Sequence, residues 1–495
     1  MTATDHAHPD LVIVANRLPV RWVEDGENGG SWVTSPGGLV SAVAPFAAEA
    51  GRAAWVGWMG EEGEREPFEL ERLLVVPVPM SSQEKELHYD GMSNGTLWPL
   101  YHDKVIPAEF HRHWLDGYRT VNRRFAEATA RVAGPGATVW VHDYQLQLVP
   151  SLLRELRPDL RIGFFLHIPF PPRELYWQLP WRQELTAGML GADLVGFQTG
   201  EDAGNFRRVA VKLGVANREG RTGLRIGERC VLTQAFPIGI DVTRYAEAAR
   251  SPEVGIAART LRERLGDPKV LVLGIDRLDY TKGIDVRLRA FKELLAEGRI
   301  DPTEVMLVQV AQPSRDDVAA YVSLRENVER LVGEINGDHG REGLPVVHYV
   351  HQSRDFDEVL ALYRAADVML VTPLRDGMNL VAKEYVACRY DDTGALVLSE
   401  FAGASFELRD ALLVNPYDID GLKRTLARAI ELEAGEAKRR MRVLRRAVAR
   451  NDAHAWAGRF LATLRELPGT SASVPGVDER LDRAPAERDV AEAGR

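Results

Sequence analysis

The chain has 495 residues, of which 45% are hydrophobic, 27% charged and 8% aromatic, with 62 Lys and Arg against 72 Asp and Glu for a formal net charge of −10. This is ordinary globular composition, which excludes wholesale disorder, collagen and coiled-coil arrays, and the length points to two or three domains. The acidic balance, without a long basic run, argues against nucleic acid or an anionic membrane as a partner, and two cysteines, Cys230 and Cys388, are too few for a disulfide framework or a Cys-type zinc site.

Along the chain, MTATDHAHPD at the N-terminus has neither the basic start nor the apolar core of a secretion signal. No later apolar run approaches the ~18 residues that span a bilayer. A soluble cytoplasmic protein is therefore expected. Short runs rich in Val, Ile and Leu follow one another: Leu11–Ala15, Thr138–Val141, Ile162–Leu166, Leu194–Phe197, Val270–Ile275, Val305–Val310, Val346–Val350, Val368–Val371 and Ala395–Leu398. Such runs fit strands buried on both faces of a parallel sheet. Helix-length segments lie between them, for example Asp355 to Ala366, where Phe356, Val359, Leu360, Leu362 and Tyr363 form an apolar stripe. Alternating strands and helices predict an α/β fold. So many strands predict two doubly wound domains, 1–240 and 241–450, meeting near the turn Phe236–Asp241. From about Pro468 to Arg495, few large apolar groups remain, and a disordered tail is expected.

In open parallel sheets, ligands bind beyond the carboxyl ends of the strands. Those ends are followed here by Asn16 and Arg17; His142, Asp143 and Tyr144; His167; Asp276, Arg277, Asp279 and Lys282; Gln312 and Arg315; and Arg375, Asp376, Gly377 and Asn379. Five cations at such positions in an acidic chain suggest an anionic ligand, most simply phosphate. In the loop from Asp276 to Gly283, two readings fit. Arg277 and Lys282 converge on a diphosphate, or they pair with Asp276 and Asp279 at the surface. In the segment from Arg375 to Glu384, a helix is expected to start at Asp376–Gly377 and offer free amides to an anion or sugar. Either Glu384, eight residues after Asp376, then accepts from a ribose diol, or Asp376 is the helix N-cap and Glu384 a solvated helix residue. Ser35-Pro36-Gly37-Gly38 is either a phosphate-covering loop or a plain turn.

Several other candidates are weaker. His111 and His113 are two apart and do not face one another on a helix. Asp418-Ile419-Asp420 reads better as a helix cap than as a metal-binding pair. Trp55 and Trp58, flanking Gly57, suit either a sugar face or the core. There is no GxxxxGK(S/T), GxGxxG, HExxH or GxSxG, which argues against nucleotide hydrolases, dinucleotide oxidoreductases, zincins and serine hydrolases.

The motifs VIVANRLPV at 12–20, SPGGLVSA at 35–42, SNGTLWPL at 93–100, VHDYQL at 141–146, GFFLHIPFP at 163–171, RLDYTKG at 277–283, TPLRDGMNLVAKEY at 372–385 and SEFAGA at 399–404 form one long series. It resembles the trehalose-6-phosphate synthase family, retaining glycosyltransferases of the GT-B type, over about Leu11 to Leu467. The resemblance implies two Rossmann-like domains facing a central cleft, with acceptor on the first and nucleotide sugar on the second. Residues 451–467 would form a C-terminal helix crossing back to the first domain. The implied reaction moves glucose from a nucleotide-glucose to glucose-6-phosphate, giving α,α-trehalose-6-phosphate. UDP-glucose is the expected donor, with ADP- and GDP-glucose as alternatives. No metal or cofactor is expected, and relatives often form homo-oligomers. Two rival readings are another phosphorylated acceptor and a catalytically silent sugar-phosphate sensor.

Carried over residue by residue, the resemblance places Arg17, Tyr89, Trp98, Asp143 and Arg315 at the acceptor, with Arg17 and Arg315 on its phosphate. Gly37, Gly38, His167, Arg277, Lys282, Asp376, Gly377, Met378, Asn379, Leu380, Val381 and Glu384 fall to the donor. Of these, Glu384 is on the ribose, and His167 and 376–379 are on the transferred glucose. Asp143, His167, Arg277, Lys282 and Asp376 are the implied catalytic set. The implied mechanism is a same-face substitution in which the leaving phosphate takes the acceptor's proton and Asp143 orients; Asp143 as a covalent nucleophile is the alternative. Two departures stand out. The segment often reading Tyr-Tyr-Asn-Gly-Phe-Ser-Asn is His88-Tyr89-Asp90-Gly91-Met92-Ser93-Asn94, and Asp276 stands where Glu is common.

Overall fold

The computed structural model describes residues 8–23, 31–34, 43, 52–70, 72–314 and 318–467. Gly37, Gly38, Arg315 and the tail 468–495 lie outside the described residues. All nine apolar runs are strands, several of them a residue or two longer than the run itself: Leu11–Arg17, Thr138–His142, Arg161–Phe165, Leu194–Phe197, Val270–Arg277, Val305–Gln312, Val347–Val350, Val368–Val371 and Ala395–Ser399. Most of their residues are buried, as expected for strands covered by helices on both faces.

The strands divide between two large sheets. At the centre of the first, Leu11–Arg17 pairs in parallel with Ala53–Trp58 on one side and Thr138–His142 on the other. The chain first winds outward through Ala53–Trp58 and Leu73–Pro77. It then returns to wind the other way through 138–142, 161–165 and 194–197. Strand Arg229–Ala235 adds in parallel to 194–197, and antiparallel strands 68–70 at one edge, and 217–219 with 223–226 at the other, complete ten strands. The second sheet has six strands, all parallel, with Val270–Arg277 between Val305–Gln312 and Val368–Val371. Each sheet therefore reverses direction once. The reversal points lie between Arg17 and Asp143 in the first and between Arg277 and Thr372 in the second, which is where open α/β sheets place ligands.

Sequence reading passed over nine strands, including Ala53–Trp58 and the hairpin Val20–Val23 with Ser31–Thr34. The first of these, AAWVGW, is buried throughout but lacks the β-branched signature. Lys85–Leu97 forms 13 residues of π-helix, a wide turn that sets out Tyr89 and leads into Trp98. After the second sheet, helix Ala453–Glu466 returns to the first. Ala453 N–H donates to Ile240 O at 3.0 Å, Trp456 Nε1 to Phe236 O at 3.1 Å, and Phe460 stacks on Trp140 at 4.6 Å.

Candidate active site

Carboxyl ends of both sheets meet at a cavity of ≈ 630 Å³. Asp143 and His167 line it from the first lobe; Arg277, Lys282, Asp376, Met378, Asn379, Leu380, Val381 and Glu384 line it from the second. Ten of the residues singled out from sequence thus line one cavity. Of the other expected acceptor residues, Trp98 adjoins this lining, and Arg17 and Tyr89 stand together. Trp98 is reached from the cleft by Arg277, whose guanidinium lies 5.5 Å from its ring. Arg17 lies 4.1 Å over Trp58 and 5.8 Å from the Tyr89 ring. Gly60 makes room for this: a Cβ there would stand 2.0 Å from Arg17 Nη1, and its φ of +100° is strained for any side chain. Trp55 belongs to the core and donates Nε1 to Arg17 O at 3.0 Å.

On the first lobe, Asp143 follows its strand with φ 76°, an uncommon value for a non-glycine residue. Its Oδ1 accepts from His167 N–H at 3.0 Å. Burial pushes the Asp143 carboxyl up to about 7, against the pull of backbone amides of His167, Tyr144 and Ile168 and the charge of Arg277. His167 is held neutral by burial, at about 3. Behind it sits His142, with Nδ1 3.1 Å from His167 Nε2, so the two buried rings share a proton position and fix each other's tautomer.

In the second lobe, Arg277 and Lys282 do not pair with Asp276 and Asp279. Arg277 is exposed and pairs with no carboxylate among the described residues. Lys282 Nζ donates to Asp376 Oδ2 at 2.6 Å, across the loop rather than within it. Asp276 is taken by the fully buried Arg287 at 2.7 Å, and Asp279 accepts from Thr281 and from Tyr321 Oη at 3.1 Å. Arg287 also donates to Thr372 Oγ1 and Lys282 O, both at 3.0 Å, tying the two cleft loops together.

The helix expected to start at Asp376–Gly377 starts at Leu380, with Asn379 as its cap. Asn379 has φ 80° and accepts from Ala382 N–H at 3.0 Å, doing the capping expected of Asp376. Asp376 instead serves Lys282 and accepts from Asn379 Nδ2 at 3.1 Å, and its backbone bridges to Ala402. Burial alone would raise the Asp376 carboxyl, but Lys282 and Asn379 outweigh it and hold it below the ordinary value. Gly377 packs against the other lobe: a Cβ there would lie 2.2 Å from His167 O. Leu380 and Val381, in the helix's first turn, face the cavity with amides that have no intrahelical partner.

Glu384 is not a solvated helix residue. Tyr363 Oη donates to its Oε2 at 2.8 Å and Tyr245 also bonds it, while burial raises its pKa. Arg375 leaves the cationic rim and pairs with Asp103 at 3.3 Å and Asp202 at 4.0 Å on the first lobe. His111 is on the surface with Glu109, and Asp418 caps a helix through Gly421 N–H. Sequence reasoning missed Arg287, His142, Tyr245 and Tyr363 as supports of the site. His142 had a signal, its place beside Asp143 at a strand end; the others had none.

Two parallel sheets with opposed switch points, a cleft lined by cations from one lobe and a strained carboxylate from the other, define a two-lobed α/β group-transfer enzyme for a phosphorylated or nucleotide-linked substrate. Comparison with known proteins sharpens this. The family model Glycosyltransferase family 20 matches residues 9–466, and the chain belongs to that family. Trehalose-6-phosphate synthases of Mycolicibacterium paratuberculosis and Mycolicibacterium smegmatis are each 53% identical, over 93% and 94% of this chain and 96% and 94% of theirs. Among solved structures, an α,α-trehalose-phosphate synthase (UDP-forming) from Burkholderia xenovorans in complex with glucose-6-phosphate superposes with TM-score 0.84 at 34% identity, covering 92% of this chain and 99% of that one. The E. coli protein bound with UDP-2-fluoro glucose gives 0.85 at 33%, with the same coverage. No helix among the described residues is long and apolar enough to cross a membrane.

Proposed function

We propose that the protein transfers glucose from a nucleotide-glucose, UDP-glucose first, to glucose-6-phosphate with retention, releasing α,α-trehalose-6-phosphate and a nucleoside diphosphate. The observation that carries this is Arg277 and Lys282 on one wall of the cleft facing Asp143 and His167 on the other, in a chain 53% identical to trehalose-6-phosphate synthases.

Charge builds on the leaving diphosphate as the glycosidic bond breaks. Arg277, Lys282 and the amides of Leu380 and Val381 stabilise it. Asp376 holds Lys282 in place and, with Asn379, meets the glucose hydroxyls. Glu384, fixed by two tyrosines, accepts from the ribose. Arg17 and Arg315 bind the acceptor's phosphate, with Tyr89 and Trp98 against its sugar, and Gly37 and Gly38 contact the donor. Asp143 accepts a hydrogen bond from the acceptor sugar, and the leaving phosphate takes the attacking hydroxyl's proton on the same face. Closure of the lobes excludes water and suppresses donor hydrolysis.

With fixed cations in that role, the reaction needs no divalent ion. Turnover in excess chelator is expected to match the untreated enzyme; loss restored only by adding a divalent ion would refute this. The direct test of function is the appearance of trehalose-6-phosphate from UDP-glucose and glucose-6-phosphate. A sensor would bind the sugar phosphate and release no UDP.

A further inference from the structure

Outside the cleft, a concavity of ≈ 910 Å³ gathers five cations, Arg173, Arg207, Arg208, Lys212 and Arg218, against one carboxylate, Glu174. That carboxylate is already taken: Arg173 Nη2 donates to Glu174 Oε1 at 2.7 Å. Arg207 is anchored on Thr233, donating to O at 3.0 Å and Oγ1 at 2.9 Å. Arg208, Lys212 and Arg218 pair with no carboxylate among the described residues. Such a concentration of unmatched positive charge in a chain of net charge −10 repels itself and draws small anions.

The cations come from three elements: the turn after Pro172, the helix Gly200–Lys212 and the strand Asn217–Glu219. Arg208 and Lys212 stand one turn apart on the helix, about 6 Å along its axis. A single phosphoryl group does not span that separation, and its charge of about −2 leaves half the field unmatched. We propose that this concavity is a second anion site, separate from the cleft, for a compact ligand carrying two linked phosphoryl groups.

The same helix clamps the segment that leaves the active site. Asp202 Oδ1 accepts from Phe170 N–H at 2.9 Å, and Asn205, which lines the concavity and accepts from Arg208, donates Nδ2 to Phe170 O at 3.1 Å. Phe170 is three residues past His167. A ligand on Arg208 therefore sits one short hydrogen-bond chain from the cleft.

Inorganic pyrophosphate is the probe, titrated calorimetrically into the full chain with the cleft filled by one equivalent of UDP, so that no excess diphosphate occupies the second site, and by saturating glucose-6-phosphate. The choice of blocker rests on the proposed function. UDP is therefore titrated alone first, and its failure to bind would count against that function and not against this site. The wild type is expected to bind one further pyrophosphate. Lys212→Gln with Arg218→Gln should weaken that binding by about tenfold or more while turnover without pyrophosphate stays within about twofold. Orthophosphate should bind at least about tenfold more weakly than pyrophosphate. Absence of heat in the blocked wild type, equal affinity in the double variant, or equal affinity for orthophosphate would each overturn the proposal.

Discussion

Arg277 and Lys282 are unequal cations. Lys282 lies 2.6 Å from Asp376, which offsets its charge, whereas Arg277 faces the cleft beside an aromatic ring and forms no ion pair among the described residues. Arg277→Ala is expected to lower kcat/KM for the donor by about 10²-fold, as removal of one fixed donor does elsewhere, with stability nearly unchanged because the side chain is exposed. Asp143 sets a pH dependence. Its carboxyl, raised to about 7, has to be ionised for its proposed role of accepting from the acceptor sugar, so kcat/KM for glucose-6-phosphate should fall as pH falls through 7. For folding the sign is opposite. A carboxyl whose native pKa exceeds its unfolded value of 3.8 keeps its proton in the folded state longer, so stability is lost as pH rises from about 4 to 7. Asp143→Asn should therefore melt higher than wild type at pH 8 while losing activity; a lower melting temperature there would contradict this. These residues were visible in the sequence as polar groups at strand ends. Their partners were not, because Asp276 with Arg287 and Lys282 with Asp376 join positions that only the sheet brings together.

Among the elements, the segment 376–388 does most to shape the second wall. Its helix begins three or four residues later than its sequence suggests, because Asn379 in a left-handed conformation makes the cap and frees Asp376 for Lys282. Capping by Asp and by Asn is equivalent on paper, so spacing alone did not choose between them. Glu384 follows one turn into that helix, between Tyr363 and Tyr245. Glu384→Gln should raise KM for the donor several-fold and leave KM for glucose-6-phosphate unmoved; equal effects on both would remove it from the ribose. At Gly377, an added Cβ lies 2.2 Å from His167 O. Gly377→Ala is accordingly expected to push the lobes apart and depress kcat with little loss of stability, a split that steady-state kinetics and a melting curve read together. Strand positions were legible wherever Val, Ile and Leu ran continuously. Ala53–Trp58 and the edge strands were not, since glycine, alanine and alternating polar residues hide burial that the neighbouring strands create.

Taken as a whole, the molecule brings two switch points face to face and then ties the lobes by side chains far apart in sequence. Arg375 reaches Asp103 and Asp202, Lys383 Nζ donates to Ile238 O at 2.7 Å, and helix Ala453–Glu466 lays Trp456 and Phe460 on the first sheet after the chain has finished the second. Trp456 is fully buried, and Trp456→Ala should cost about 3–5 kcal/mol in chemical denaturation. In the proposed reaction, Arg277 and Lys282 receive a departing diphosphate while the opposite lobe holds a phosphorylated hexose. Release of UDP, followed with and without glucose-6-phosphate in wild type and Arg277→Ala, distinguishes the outcomes. Acceptor-dependent release that drops about 10²-fold in the variant is the predicted result; release indifferent to glucose-6-phosphate, or unchanged by loss of the guanidinium, would contradict it.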